Sequence, residues 1–375
     1  MERAQNKIAY GIIWSATERF STQLIQFVVT VIMARILLPS DFGLIGMLSI
    51  FFAISQSFID SGFSKALIQK KSATDDDFST IFYFNIVIGG LFFFVLFLLA
   101  PAIARFYGIP ALCTLARVLA FNLVINSFSI IQRTKVAIDL DFKLLTKASW
   151  ISVLAGGVIG IYMAYSGFGV WAIAIQSISA NFVITACLWS FGKWKPKRVF
   201  SRKSFQQSFS FGSNLLVAGI IYNLFDNIYL MIIGKNYDAR SLGYYDKARN
   251  FAQLPSLNIA NIIQRATFPV LSQMQEDKVK LHASFNKLIK LTSFVVMPLM
   301  VSLAVIANPL IHMLLSEKWL PAVPFFQLMC FVLIWFPLDE LNVNLINSTG
   351  DTALVLKLEI VKKIFAFSLL ILTLP

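Results

Sequence analysis

The sequence of 375 residues is poor in charge and in the residue types that build most catalytic and metal sites. Charged residues make up 14% of it, whereas about a quarter is usual for a soluble domain. There are two histidines and three cysteines, and Cys113, Cys187 and Cys330 all lie in apolar segments without the paired spacing of metal ligands. We therefore expect neither a disulfide framework nor a zinc site.

The chain has instead a succession of long apolar runs. Hydrophobic residues account for 57% of it, and its mean hydropathy is +0.73. Runs such as 81–104 and 291–315 exceed the roughly 20 residues that cross the hydrocarbon core of a bilayer. The first run, at 8–38, is too long for a cleavable signal peptide. These features predict an all-α polytopic membrane protein.

Eleven segments are predicted to span the membrane. They lie at 8–34, 42–64, 78–104, 111–133, 146–166, 168–190, 212–233, 248–270, 288–314, 321–347 and 353–374. With the N-terminus in the cytoplasm, basic residues concentrate in the inner segments, above all in 192–203, which has six basic residues and no acidic one. Because cytoplasmic loops are rich in Lys and Arg, the net charge of +13 reflects topology. We therefore expect contact with anionic lipids and no nucleic-acid binding.

Two loops about 200 residues apart resemble each other. "ARILLPSDFGLIGM" begins at Ala34 and "IGKNYDARSLGYYDKA" at Ile233, and in both a basic residue precedes a glycine by eight positions. These pairs are Arg35 with Gly43 and Lys235 with Gly243, and the same offset aligns Lys65 with Arg265. Six predicted helices, an even number, separate the two copies. Both copies therefore have the same orientation, related by an axis along the membrane normal.

The repeat predicts two parallel-related six-helix lobes around a central cavity. The N-terminal lobe is 1–191, a basic cytoplasmic linker follows at 192–203, and the C-terminal lobe is 204–375. The second lobe ends after its fifth helix and lacks its last one. We accordingly expect the chain to be a fragment or a shortened gene product.

Several predicted helices carry polar residues at helical spacing. Two interpretations remain open: the residues line a hydrated cavity, or they form hydrogen bonds between packed helices. They are Ser15, Glu18, Thr22 and Gln26 on the first helix, Asn122, Asn126, Ser129 and Arg133 on the fourth, Asn223, Asp226 and Asn227 on the seventh, Asn250, Gln253, Asn261 and Gln264 on the eighth, and Asp339, Glu340, Asn342, Asn344 and Asn347 on the tenth.

Glu18 and Arg19 lie in the middle third of the first helix. A charge at that depth costs roughly 2.5 to 3.5 kcal/mol on insertion scales, so it needs a partner or water. One interpretation is a structural ion pair of Glu18 with Arg19 or Arg117. The other is a ring of basic residues around an anionic ligand, because a guanidinium matches the geometry of phosphate oxygens. The residues of this predicted substrate site are Arg19, Lys65, Arg117, Arg133, Arg265, Asn126 and Asn223.

Two further interpretations of these charges remain open. Lys65 and Arg265 also fit basic side chains that extend from a helix to the cytoplasmic interface. Glu18 and Asp226 are the candidates for binding a coupling proton or sodium ion. No other cofactor is expected.

Four segments together resemble a known family. "ARILLPSDFGLIGMLSI", "DSGFSKALIQKK", "SLGYYDKARNFAQLP" and "IIQRATFPVLSQMQED" are similar, in order and spacing, to segments of the Wzx-type polysaccharide flippases of the multidrug/oligosaccharidyl-lipid/polysaccharide exporter superfamily. The likeness covers nearly the whole chain and is greatest to the colanic-acid exporter branch.

The resemblance implies a function. It implies translocation of undecaprenyl-diphosphate-linked oligosaccharide units from the cytoplasmic to the periplasmic face of the bacterial inner membrane, by alternating access, for O-antigen, capsule or exopolysaccharide export. A polysaccharide polymerase and chain-length machinery are the implied protein partners. It also implies a cationic cavity, and the diphosphate role carries over to Arg19, Lys65 and Arg265.

Two alternatives remain. A multidrug or cation antiporter of the same fold should have an acidic cavity, whereas the charges here are mixed. A membrane-embedded glycan polymerase or ligase would need a large external loop with catalytic residues, and the predicted external loops are short. Transport is therefore favoured over catalysis.

Overall fold

The computed structural model describes the backbone of residues 2–60, 62–70, 73–274, 277–348 and 352–373. Within these ranges the chain forms α-helices, one 3₁₀ turn and no strand, so the all-α prediction is confirmed. Eight helical segments of the described chain are long and apolar enough to cross a membrane. The predicted first, eighth and eleventh spans lie on helices outside those eight.

Fourteen α-helices and one 3₁₀ turn follow one another along the described chain. They are α1 (Glu2–Ile36), α2 (Pro39–Asp60), α3 (Phe63–Gln69), α4 (Asp75–Tyr107), α5 (Ala111–Ile138), α6 (Phe142–Tyr165), α7 (Val170–Phe191), α8 (Arg202–Asn236), α9 (Ala239–Gln273), α10 (Lys278–Val305), α11 (Ala307–Leu315), the 3₁₀ turn (Glu317–Ala322), α12 (Val323–Leu333), α13 (Phe336–Ser348) and α14 (Thr352–Thr373).

Three predicted spans are divided in the structure. The second ends at Asp60, and Gly62, with φ of +67°, reverses the backbone before the short α3. The ninth breaks after Val305 and the tenth after Leu333. Each break falls four residues before a proline, Pro309 or Pro337. A proline ring collides with the carbonyl four residues earlier, which weakens the helix at both points.

The start of α4 is fixed by a buried carboxylate. The Asp77 Oδ2 accepts the backbone N–H of Thr74 at 2.8 Å, and the Thr74 hydroxyl accepts the N–H of Asp77 in return. The Asp77 Oδ1 lies 2.8 Å from the Lys70 Nζ, which also donates to Gln207 of α8 at 3.3 Å. This capping box therefore connects the α3–α4 loop with α8.

Two compact units divide the chain, one up to Gly243 and one from Tyr244. In the first unit α6 packs along α1 and α7, α5 packs along α4, and α8 packs along α2. The division falls within α9 because the first residues of that helix pack on α2. The lobes at 1–191 and 204–375 were predicted from sequence symmetry and not from contacts, so they stay a prediction.

Two glycines of the predicted repeat meet the same backbone crossing from opposite sides. A Cβ on Gly43 would lie 1.7 Å from the carbonyl oxygen of Ala239, and one on Gly243 would lie 1.9 Å from that of Pro39. The contact is reciprocal, since residues 39 and 239 occupy equivalent positions in the two copies. Reciprocal contact is what a two-fold relation requires. Only glycine allows the starts of α2 and α9 to approach so closely.

In the second unit, α10 packs on α12 and α13. The Ser256 hydroxyl of α9 donates to the carbonyl of Leu333 at 2.8 Å, and Gln327 donates to the carbonyl of Ala304 at 3.0 Å. Near the end of the described chain the Lys362 Nζ lies 2.7 Å from the Asp339 carboxylate. This ion pair joins α14 to α13.

Candidate functional site

Polar side chains of α1 are held by α6 within the first unit. The Glu18 Oε1 accepts a hydrogen bond from the Ser149 hydroxyl at 2.8 Å. About one turn further along α1, the Ser21 Oγ accepts a hydrogen bond from the Trp150 indole N–H at 2.6 Å. Glycines of α6 allow the approach, because a Cβ on Gly157 would lie 2.7 Å from Val29 of α1. The α1–α6 interface is therefore close-packed and contains a carboxylate.

Arg133 of α5 lies near that carboxylate. Its guanidinium interacts electrostatically with Glu18 of α1 and with Asp60 at the end of α2. The Arg133 Nε is shielded from solvent and has no hydrogen-bond acceptor among the described residues. The structure thus places Glu18 and Arg133, two of the predicted site residues, within electrostatic range of each other and of Asp60. In this cluster of one cation and two carboxylates from three helices, all of them described residues, no ion pair within 4.0 Å joins Arg133 to either carboxylate.

Arg19 follows Glu18 but differs from it in its surroundings. Its side chain is partly exposed, and within the part of the chain that the structure describes it makes no hydrogen bond or ion pair. Glu18 forms no ion pair within 4.0 Å with Arg19 or Arg117 there. The guanidinium of Arg19 keeps its donor groups available for a ligand.

Arg117 is held at a different place. Its guanidinium carbon lies 4.5 Å from the centre of the Phe97 ring, and its Nε donates to the Phe97 carbonyl at 3.3 Å. Both contacts are with α4, so Arg117 acts as a packing residue between α4 and α5. Its role in substrate binding stays a prediction, and its contacts with Phe97 give that role no support.

The polar stripe of α5 divides between two environments. Asn122 donates to the Ser177 Oγ at 3.2 Å and accepts from Asn181 at 3.0 Å, and both partners belong to α7. Asn126 accepts only within its own helix, from the Ser129 hydroxyl at 3.0 Å. The packed-helix interpretation therefore applies to Asn122, whereas Asn126 has amide donors that none of these bonds uses.

On α8, Asn223 donates to the Ser57 Oγ of α2 at 2.8 Å, and Asn227 donates to the backbone carbonyl of Asn223 at 2.9 Å. Asp226 is partly buried on the same helix. Asn223 thereby joins α8 to α2 in the first unit. The roles of Asn223 in substrate binding and of Asp226 in ion coupling stay predictions. The side chains of Lys65 and Arg265 lie outside the described residues.

Asp60 and Ser149 belong to the charged cluster but were not predicted. Asp60 stands at the end of the second predicted span, and as the last charge before a glycine loop it looks like an ordinary helix terminus. Ser149 lies in the part of α6 after Lys147, which has no charged residue, and serine is also common as a packing residue. The only sequence signal for Ser149 is its position three residues after Thr146. The Thr146 hydroxyl donates to the backbone carbonyl of Trp14 in α1.

Comparisons with known proteins agree on a family. The family described as "Polysaccharide biosynthesis protein" matches residues 32–324. A membrane protein of the cps region of Klebsiella pneumoniae is 30% identical over 84% of this chain and 66% of its own length. The teichuronic acid biosynthesis protein TuaB of Bacillus subtilis is 29% identical over 93% and 73%, respectively. The lipopolysaccharide biosynthesis protein WzxC of Escherichia coli is 26% identical over 88% and 67%. The chain thus spans about two thirds of the length of these relatives.

Solved structures are similar in fold. The lipid II flippase MurJ, in an inward closed conformation, superposes with a TM-score of 0.72 at 15% identity, over 91% of this chain and 77% of that one. An inward-facing multidrug resistance MATE transporter superposes with a TM-score of 0.68 at 14% identity, over 88% and 81%. At these identities the likeness is one of fold.

Proposed function

The chain belongs to the polysaccharide biosynthesis protein family, and from this premise we propose that it is a flippase for lipid-linked oligosaccharides. It moves undecaprenyl-diphosphate-linked repeat units from the cytoplasmic to the periplasmic face of the bacterial inner membrane, with its N-terminus in the cytoplasm. It is a transporter and not an enzyme. The names of its relatives, in teichuronic acid and lipopolysaccharide biosynthesis, support a polysaccharide precursor as the cargo.

The observation that carries the proposal is the cluster around Arg133. A guanidinium in a membrane-spanning helix, with an Nε that lacks an acceptor among the described residues, retains capacity to bind an anion. Arg19 is partly exposed and retains all its donors. Arginine binds phosphate oxygens with two parallel hydrogen bonds. A diphosphate between Arg19 and Arg133 would satisfy both side chains, while the polyprenyl chain stays in lipid.

Glu18 gives the cycle a means of release. It shares Arg133 with Asp60 and is held by the Ser149 hydroxyl. A diphosphate that takes Arg133 competes with Glu18 for the same guanidinium. Return of Glu18 to Arg133 would then displace the substrate. Glu18, with Asp226 as the second candidate, is therefore the residue we assign to coupling.

A reconstituted system tests the proposal. The purified chain is incorporated into proteoliposomes with a fluorescent undecaprenyl-diphosphate oligosaccharide, and the label that reaches the opposite leaflet is quenched by an impermeant reductant. Arg133→Gln and Arg19→Gln should each slow translocation at least tenfold. Arg117→Gln should leave the rate unchanged, because that guanidinium is engaged by Phe97. Equal rates for all three variants and the unaltered chain would remove the phosphate site.

The fold shared with a multidrug transporter supports a second candidate, a cation antiporter. Its substrates are positively charged, so they would engage the carboxylates of Glu18 and Asp60 and not the guanidinium groups of Arg19 and Arg133. The same proteoliposomes loaded with a cationic dye distinguish the two. Proton-driven dye efflux without oligosaccharide translocation would favour the antiporter.

A further inference from the structure

A groove unrelated to the Glu18–Arg133 cluster lies at the beginning of α6. It has a volume of about 620 Å³ and is lined by Lys143, Lys147, Trp150, Ile151, Leu154 and Phe191 among others. It adjoins a larger cavity of about 1080 Å³ beneath the α5–α6 loop, and Lys143 and Phe191 line both. All of these residues belong to the first unit.

The groove has more positive than negative charge, because two lysines and one carboxylate line it. Lys143 and Lys147 are four residues apart, hence on one face of α6, and both are exposed. Neither forms a salt bridge with any residue that the structure describes. The Lys143 Nζ lies 5.8 Å from the centre of the Trp14 ring. The Asp141 carboxylate also lines the groove and accepts the backbone N–H of Leu144 at 3.2 Å. Two lysines against one carboxylate leave the groove with an excess of positive charge, which complements an anion.

Below the lysines the groove becomes apolar. Ile151 and Leu154 are 45% and 53% exposed, and the same face continues with Val158 and Tyr162 at 68% and 71%. On a polytopic membrane protein an exposed apolar stripe of this length contacts lipid chains. Lys147 and Leu154 are separated by about 10 Å along the helix axis, at 1.5 Å per residue. The groove thus joins two basic side chains to a lipid-facing wall.

Trp150 is the fixed wall between these two regions. Its indole N–H donates to the Ser21 Oγ at 2.6 Å, which holds the ring against α1. Tryptophan is typical of the depth at which headgroups meet acyl chains. The order of side chains along α6 is therefore cation, indole and aliphatic wall, which is also the order of phosphate, glycerol and acyl chain in a phospholipid.

We propose that this groove is a binding site for an anionic membrane phospholipid. Its phosphate lies between Lys143 and Lys147, and the first methylenes of an acyl chain pack on Ile151 and Leu154. The adjoining cavity leaves room for the remainder of the headgroup. A soluble anion would use the lysines alone. The aliphatic wall and the lipid-facing opening single out a lipid as the occupant.

The test uses the full purified chain in a neutral detergent. Native mass spectrometry measures how many molecules of phosphatidylglycerol remain bound, with phosphatidylcholine as the neutral competitor. Lys143→Gln/Lys147→Gln should weaken phosphatidylglycerol binding about thirtyfold, since each basic residue near a lipid phosphate contributes roughly 1 kcal/mol. The matched control is Lys287→Gln/Lys290→Gln, which removes the same charge from exposed positions of α10. That control should bind as the unaltered chain does.

Two further measurements separate the possible occupants. Leu154→Ala should weaken phosphatidylglycerol binding severalfold but leave binding of inorganic phosphate unchanged. An equal loss of phosphatidylglycerol binding in the two lysine double variants would show attraction by net charge only and would overturn the proposal. Inorganic phosphate that displaces the lipid at equal concentration, or a lipid-linked diphosphate that binds this groove more tightly than phosphatidylglycerol, would overturn it as well.

Stability in neutral lipid keeps the result interpretable. Lys143 and Lys147 lie in the first two turns of α6, where the helix dipole disfavours cations, and no acidic residue occupies the first turn. The double Gln variant should therefore melt at or above the temperature of the unaltered chain in phosphatidylcholine. Only the unaltered chain should gain stability when phosphatidylglycerol is added. An equal gain in both would contradict the site.

Discussion

Replacing Gly43 with alanine tests the crossing of α2 and α9 directly. The new Cβ would lie 1.7 Å from the carbonyl oxygen of Ala239, whereas ordinary contacts begin at 3.4 Å. Neither atom belongs to a flexible side chain, so the two backbones must separate by roughly 1.5 Å. Gly243→Ala creates the same collision from the other side, at 1.9 Å from the Pro39 carbonyl oxygen.

The free-energy loss follows from that displacement. Forcing extra atoms into a packed contact typically destabilises by about 1 to 3 kcal/mol. Separation also loosens the packing of Leu242 against Gly46 in the next layer of the crossing. The two residues are close, since a Cβ placed on Gly46 would lie 3.4 Å from the Leu242 side chain. We expect each single variant to lose about 3 kcal/mol and to melt roughly 5 °C lower in detergent.

The two variants should not be additive. After one alanine has separated the backbones, the second meets a gap that is already open, so the double variant should lose much less than the sum of the single losses. Gly90→Ala and Gly219→Ala are the controls, because a Cβ at either position meets nothing within 4 Å. As helix-interior positions they should be neutral or up to about 1 kcal/mol more stable.

Thermal unfolding is followed by circular dichroism and by fluorescence on the same samples. The melting temperatures of the two variants and the two controls are each compared with that of the unaltered chain. Melting of Gly43→Ala and Gly243→Ala at the same temperature as the controls would refute the close backbone contact. Strict additivity of the two would show that the glycines do not meet at one crossing.

Three further predictions concern charged side chains. Arg133→Gln should lower the melting temperature by leaving Glu18 uncompensated, and adding Glu18→Gln should restore most of the loss; additive losses in thermal unfolding would contradict the pairing. Asp77→Ala should lose about 2 to 3 kcal/mol of unfolding free energy with its cap and ion pair, whereas Asp76→Ala, with a half-exposed carboxylate 3.7 Å from a lysine, should stay within about 0.5 kcal/mol. Arg117→Ala should lose about 1 kcal/mol from its contact with Phe97 without slowing oligosaccharide translocation; a slower rate would return this residue to the site.

The helices could be predicted because long apolar runs have one stable form in a bilayer, where every backbone group needs an internal partner. Their interruptions could not be predicted from hydropathy. The breaks after Val305 and Leu333 lie in apolar sequence, and only the prolines four residues later mark them. Prolines within α4 and α10 leave those helices continuous, so a proline alone does not decide a break.

The charged cluster was predicted in part. Membrane depth identifies Glu18 as a charge that needs a partner, and Arg133 belongs to the polar stripe of the fourth predicted span, but sequence spacing does not show which helices face each other. Arg117 and Arg133 are equally basic and lie on the same helix, yet Arg117 contacts Phe97 whereas Arg133 lies within electrostatic range of Glu18. The distinction depends on the rotation of α5 between its neighbours, which packing fixes and hydropathy does not.

Polar stripes present the same problem, and α5 offers a test of it. Asn122 and Asn126 share a stripe, but Asn122 bonds to Ser177 and Asn181 of α7, whereas Asn126 bonds only to Ser129. Periodicity gives the same pattern for a packed interface and for the wall of a wet cavity. If the cavity interpretation holds at Asn126, a cysteine there should react with a membrane-impermeant maleimide, and one at Asn122 should react at least tenfold more slowly.

The comparison is made in a Cys113→Ser/Cys187→Ser/Cys330→Ala background, since all three native thiols would otherwise contribute. Mass spectrometry of the intact protein measures labelling at successive times, and denatured samples of both variants give the reactivity without protection. Phe121→Cys controls for access through the detergent. Phe121 is exposed and lies one residue from Asn122 on a different face of α5. Equal protection of the cysteines at 122 and 126 would mean that α5 contributes its whole stripe to dry helix packing. Arg133, seven residues beyond Asn126 on that stripe, would then stabilise the fold through Glu18 and Asp60 without meeting a substrate.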